Sequence, residues 1–173
     1  MLRALIPLLL CSALTSCGAT NEQPAKSAPN FTISSTAFAD GAAIPAQFTC
    51  DGAGQAPSLR WTDPPQGTKS LALIVDDPDA PGATFGHWGA FNIPADTRSL
   101  NGSFAQAVND FGQPGYGPPC PPKGNGVHHY RFRLLALSVD RLGLSNPKVR
   151  QLEAEAAKHA IGEARLTGVY ERN

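Results

Sequence analysis

The chain has 173 residues, with 14 basic and 14 acidic side chains, 17 glycines and 16 prolines, and a formal net charge of zero. That length fits one domain with a sizeable core. A neutral chain with no Lys/Arg run has no clustered basic face for nucleic acid or for nonspecific attachment to anionic lipid. The Gly and Pro content points to a loop-rich β protein rather than a helical bundle.

At the N-terminus, Met1-Leu2-Arg3 precedes an apolar run from Ala4 to Leu14 that is too short to span a bilayer as a stable helix. One positive charge, a short apolar run and small residues before a break describe a secretory signal over residues 1–16. Leu14-Thr15-Ser16-Cys17, followed by Gly18, resembles a bacterial lipoprotein box, in which cleavage leaves Cys17 as a lipidated, palmitate-bearing N-terminus. The alternative is an ordinary signal with Cys17 incidental. Acyl chains contribute about 0.8 kcal/mol per buried CH₂, so a multiply acylated cysteine holds a protein firmly on a membrane. Gly18 is not an acidic retention signal, so the expected site is the cell envelope, on the outer membrane facing the periplasm in a diderm organism. Residues 17–30 contain no large apolar side chain and read as the lipidated cysteine and a flexible tether, with the folded domain over 31–173.

Cys11 lies within the signal and Cys17 takes the lipid, which leaves Cys50 and Cys120 as a pair in an oxidising compartment. A disulfide between them is expected; two buried free thiols are the alternative.

From Phe31 the pattern changes. Phe31-Thr32-Ile33-Ser34 alternates as a first strand, and Leu59-Arg60-Trp61 reads as a short second one. Leu71–Val75 and Trp88–Ile93 are apolar runs bounded by Pro, Gly or Asp, and both read as strands. Between them, Asp76-Asp77-Pro78-Asp79-Ala80-Pro81-Gly82 is excluded from helix or ladder, because two prolines fix φ and remove donors. The stretch from Asn109 to Val127 is far longer than a usual connector, and its prolines make it a shaped wall rather than a floppy lid. His129 to Val139 is expected as a long central strand. Asn146-Pro147 reads as a helix N-cap and first helical position, with Val149, Leu152, Ala156 and Ala160 on one face and Gly162 as the stop. Ala164–Tyr170 alternates as a final strand. The sum is a mainly β domain of two packed antiparallel sheets, a β-sandwich with one clear C-terminal helix.

Three motifs carry a resemblance: Asp77-Pro78-Asp79-Ala80-Pro81, then His87-Trp88, then Gly126-Val127-His128 after a proline-rich loop. In this order they resemble the phosphatidylethanolamine-binding protein family, and within it the bacterial Raf-kinase-inhibitor-like branch, over essentially the whole chain from Phe31. The resemblance implies the same sandwich. It also implies a small pocket for phosphate-like or carboxylate groups, lined at the positions of Asp77, His87 and His128. The proline-rich loop, Pro118 to Pro122 with Pro121 near its centre, forms part of the wall. Asp79 and Gly126 complete the expected ligand set, with Gly124 and Gly126 offering backbone N–H groups and Trp88 or Tyr116 an apolar wall. The chain departs from the pattern where His129 replaces the usual Arg after His128. A fixed charge is missing there, and Lys123 is the available substitute.

The residues themselves support anion binding: a carboxylate beside an imidazole orients its protons, and two imidazoles facing one cavity form an anion receptor. A structural alternative for Asp77 and Asp79 is turn capping. His129 is expected at the surface, since tandem side chains alternate, and His159 as a solvated residue of the last helical turn. Asp77, His87 and His128 could also form a two-His-one-carboxylate metal set, but no metal or other cofactor is expected. A hydrolase needs a nucleophile, and Ser103 has no neighbouring base; Cys120 with His128 is conceivable. The expected function is thus a membrane-tethered extracytoplasmic binding protein for a small anion or phospholipid headgroup, not an enzyme. An inhibitor or interaction protein acting on an envelope partner is the alternative.

Overall fold

The computed structural model describes residues 31–173; the signal, Cys17 and the tether lie outside the described residues. The described chain forms seven strands and one α-helix. They are β1 (Ile33–Ser35), β2 (Leu59–Trp61), β3 (Ser70–Asp77), β4 (Phe85–Pro94), β5 (Ala105–Gln106), β6 (His128–Leu137), α1 (Val149–Ala157) and β7 (Ala160–Tyr170), with a 3₁₀ turn at Ala46–Phe48. β1 and β2 pair antiparallel as a small sheet, and the large antiparallel sheet runs β5-β4-β3-β6-β7.

β3 is buried along its whole length because it sits at the centre of the large sheet with both faces covered. On one face Leu71, Leu73 and Val75 join Tyr130, Phe132 and Leu134 of β6, and Ile33, Leu59 and Trp61 of the small sheet close over them. On the other face Ala72, Ile74, Leu135 and Leu137 meet Val149, Leu152 and Ala156 of α1. α1 lies close to β4, where a Cβ on Gly89 would come within 2.7 Å of the Ala107 side chain and 2.8 Å of Leu152. The pleat sends Asp76 and Asp77, adjacent in sequence, to opposite faces. Asp76, 2% exposed, takes Arg131 Nε at 2.6 Å and Arg133 Nη2 at 2.5 Å on the helix side. Arg133 also reaches Glu153 of α1.

The helix differs from its sequence expectation. Asn146 adopts φ 47°, a left-handed conformation, and α1 starts at Val149 with Lys148 as its cap. Pro147 lies outside because its carbonyl accepts Val108 N–H. The helix ends at Ala157, so Ala160 and Gly162 belong to β7 rather than to a helix face and its stop. Gly162 stays bare because a Cβ there would meet Pro65. His159 follows the helix and approaches Glu155 at 3.5 Å.

Candidate functional site

At one end of the large sheet, β3, β4 and β6 finish beside the loop 78–82 and the long 109–127 connector. A cavity of about 190 Å³ opens there, lined by Asp77, His87, His128 and Tyr130 as its polar groups. Phe85, Phe111, Pro81, Cys120, Pro121 and Pro122 form its apolar walls.

Each polar group arrives by a local rule. Asp77 is the last residue of β3, on the face of Leu73 and Val75. His128 and Tyr130 are two apart in β6 and share that face by alternation. His87 arrives by a bulge. Val75 pairs with Trp88 while Asp76 pairs with Gly86, so His87 is the extra residue in β4. An extra residue re-aims a side chain, and His87 packs edge-on against Tyr130, with ring centroids 5.1 Å apart. Trp88 stays in the same core, packed edge-on against Tyr116 and donating to Gln106 Oε1 at 2.9 Å. Trp88 and Tyr116 therefore do not line the cavity, and Phe85 and Phe111 supply the aromatic wall instead.

His128 is 1% exposed and Asp77 3%. His128 Nδ1 donates to Asp77 Oδ2 at 2.7 Å, and Nε2 meets Asn125 Oδ1 at 2.9 Å. The second Asp77 oxygen, Oδ1, accepts Asp79 N–H at 2.9 Å. The turn-capping and the site roles of Asp77 thus coexist in one carboxylate.

His87 Nδ1 lies 2.8 Å from Gly117 O, and a carbonyl can only accept, so Nδ1 carries the proton. Gly117 N–H returns a bond to His87 O at 2.7 Å. No described residue bonds His87 Nε2. Burial, the largest influence, holds the imidazole below its usual pKa against the opposing pull of Gly117 and of Asp77, Asp110 and Asp76. At neutral pH the ring is uncharged and Nε2 offers a lone pair. The Tyr130 hydroxyl is fully buried with no well-formed hydrogen bond, and the Asp77 carboxylate is the acceptor within its reach. Burial first, then the Asp77 charge, pushes the phenol far up, so it stays protonated.

Asp79 and Gly126 lie beside the cavity, outside its lining. Asp79 Oδ2 accepts the backbone N–H of His129 and its Nδ1, each at 2.8 Å. These bonds hold the Asp79 carboxyl below its usual pKa, the His129 side-chain bond first. The exposed His129 thus ties the 78–82 loop to β6 by two hydrogen bonds to one carboxylate oxygen. Gly126, at φ 82°, shapes the turn into β6. Gly124 N–H is committed to Arg172 O at 2.9 Å rather than free for an anion. Lys123 is not among the lining residues.

The 109–127 wall is held at several points. Asn109 accepts Phe111 and Gln113 N–H and donates to Gly115 O. Cys50 and Cys120 form a disulfide across 70 residues, and Cys50 N–H donates to Pro119 O. Arg172, paired with Asp51, also donates to Pro121 O. With Cys120 in the disulfide, a thiolate nucleophile beside His128 is ruled out for this state. Among the described residues no cluster of His, Cys, Asp or Glu is arranged to hold a metal. Sequence reasoning missed Tyr130, Phe85, Phe111 and Asn125. Alternation along β6 would have placed Tyr130 with His128.

A profile of the family described as "Phosphatidylethanolamine-binding protein" matches residues 34–171. The chain belongs to the phosphatidylethanolamine-binding protein family. It is 43% identical over 151 residues to a UPF0098 protein of Aquifex aeolicus, covering 82% of this chain and 88% of that one. It is 44% identical over 157 residues to LppC of Mycobacterium tuberculosis, named as a candidate lipoprotein, covering 86% and 76%. The fold matches the crystal structure of Escherichia coli YbcL, described as a member of the mammalian PEBP family, with a TM-score of 0.79 and 34% identity over 84% of this chain and all of that one.

Proposed function

We propose that this family member binds the oxyanion head of a small ligand, a phosphomonoester or phospholipid headgroup, in the cavity of Asp77, His87, His128 and Tyr130. It does so on the extracytoplasmic side of a membrane, tethered through lipid on Cys17. The observation that carries the reading is a His87 Nε2 that no described residue bonds, in a cavity where the buried Tyr130 hydroxyl also lacks a well-formed bond. A buried polar group left unpaired costs roughly 1–3 kcal/mol, and a ligand oxygen entering the cavity removes that cost. The apolar walls lower the local dielectric and strengthen each polar contact inside. The likeness to LppC, named as a candidate lipoprotein, supports the tether. Membership of a family described by its binding of phosphatidylethanolamine supports a binding role rather than turnover.

The test is to add phosphoethanolamine to the purified protein and follow the imidazole NMR signals of His87 and His128. Both are expected to shift together and saturate; if neither moves, the pocket does not serve such ligands. For the anchor, Cys17→Ser is expected to release the protein from the membrane fraction. Unchanged membrane association would remove lipid attachment at that residue.

A further inference from the structure

The lining of the cavity contains no Lys and no Arg, and one of its four polar groups is a carboxylate. Asp77 accepts two hydrogen bonds, from Asp79 N–H and His128 Nδ1, and its oxygens keep further lone pairs. His87 Nε2 is an acceptor while Nδ1 holds its proton against Gly117 O. His128 has both ring nitrogens engaged, by Asp77 and Asn125. Of the polar groups, only the Tyr130 O–H is a donor without a well-formed bond, and Asp77 lies within its reach. A floor with more open acceptors than open donors matches a ligand head that itself donates.

We propose that the cavity selects a phosphomonoester in its singly protonated form, with the P–O–H donating to His87 Nε2 or Asp77 and a phosphoryl oxygen accepting from Tyr130 O–H. This deepens the anion-binding reading above and rests on it. An anion of the same shape and charge but without a proton would leave the acceptors facing oxygen lone pairs. Such mismatches discriminate strongly, because they combine lost hydrogen bonds with repulsion inside an apolar-walled site.

The groups that titrate around the ligand are few. Asp77 comes from β3, His87 from β4, and His128 and Tyr130 from β6. The facing loops contribute only Ala80, Pro81, Phe111, Pro121, Pro122 and the disulfide-bonded Cys120. Asp79 and His129 stand outside as a pair. Asp76 and Asp110 act on His87 through their charge.

The deciding comparison is phosphoethanolamine against ethanolamine O-sulfate. At pH 5.5 about three-quarters of the phosphate ester is the singly charged, protonated form, since its second pKa is about 6, while the sulfate ester carries one charge and no proton; those two forms differ by the one proton. Titrations of the purified protein, read by NMR and calorimetry, are expected to give at least tenfold tighter binding of the phosphate ester. As pH rises above about 6, its affinity is expected to fall about tenfold per unit, as binding of the minor protonated species requires. The sulfate ester measures whatever slope the histidines contribute. Equal affinity for the two esters at pH 5.5 overturns the proton selection while leaving the anion pocket standing; no binding of either overturns both. Asp77→Asn, which replaces an acceptor by a donor, is expected to bring the two esters within about threefold of each other. Unchanged discrimination in a folded Asp77→Asn protein, by a factor of ten or more, would count against the role given to Asp77. If that variant fails to fold, the comparison on the unaltered protein decides.

Discussion

The disulfide between Cys50 and Cys120 offers the most direct check on how the cavity wall is held. Replacing both cysteines by serine removes a cross-link that closes a loop of 70 residues. In the chain-entropy treatment, loss of that constraint on the unfolded chain costs roughly 4 kcal/mol. For a domain of this size each kcal/mol moves Tm by about 3 °C, so a fall of about 12 °C is expected in thermal unfolding followed by circular dichroism. The native wall keeps other attachments, since Cys50 N–H still reaches Pro119 O and Arg172 still reaches Pro121 O. Phosphoethanolamine binding well below Tm is therefore expected to weaken by no more than a fewfold. A Tm within about 3 °C of the unaltered protein, the shift of a single kcal/mol, would refute the claim that this bond constrains the unfolded chain. A large loss of binding with little loss of Tm would show instead that the bond chiefly positions Pro121 and Pro122.

Two further outcomes follow from buried charge. Asp76→Asn is expected to destabilise the fold by about 1.5–3 kcal/mol in urea unfolding, because Arg133, whose side chain is 14% exposed, loses one of its two carboxylate partners and keeps Glu153; a change under about 0.5 kcal/mol would place that pair effectively in water. The unfolded His87 titrates near 6.5 and the folded one lower, through burial. Between those two values the unfolded chain binds more protons, so stability falls as pH drops from about 6.5 towards the folded pKa and then levels off. His87→Gln is expected to flatten that part of the Tm-against-pH curve, and an identical curve would show that His87 is not the group responsible.

Much of the fold can be read from the chain because both faces of the central sheet are covered. Leu71–Val75 is continuously apolar for that reason, and Phe132, Leu134 and Leu166 alternate towards the same core. The helix boundaries are not legible. Asn-Pro is a common helix opening, yet here Asn146 takes a left-handed turn and the Pro147 carbonyl is drawn away to Val108, a contact between distant segments. The site is legible in part. Asp77, His87 and His128 do line one cavity. Nothing in the sequence signals the bulge at His87, or that Phe85 and Phe111, rather than Trp88 or Tyr116, form the aromatic wall. One inserted residue lets neighbours that should point to opposite faces share one. The motif groups Asp79 with Asp77, but the exposed His129 takes its carboxylate. The imidazole supplies one of the two bonds there, and the backbone N–H of the same residue supplies the other.

The two adjacent aspartates show why the site carries so little positive charge of its own. The pleat gives Asp76 to the helix face, and the two arginines of β6, Arg131 and Arg133, lie on that face by the same alternation. The arginines of β6 are thus neutralised behind the sheet, while Asp77 on the cavity face is left with an imidazole and a backbone amide. A receptor for a fully ionised phosphate would place an Arg or Lys on the cavity side of β6, at the positions of His128 or Tyr130. Here those positions hold an imidazole already engaged at both nitrogens and a phenol held neutral by burial. For the ligand proposed above, affinity is expected to come from hydrogen-bond matching more than from net charge. It should therefore change little between low and moderate salt, in contrast to ligands held by exposed ion pairs.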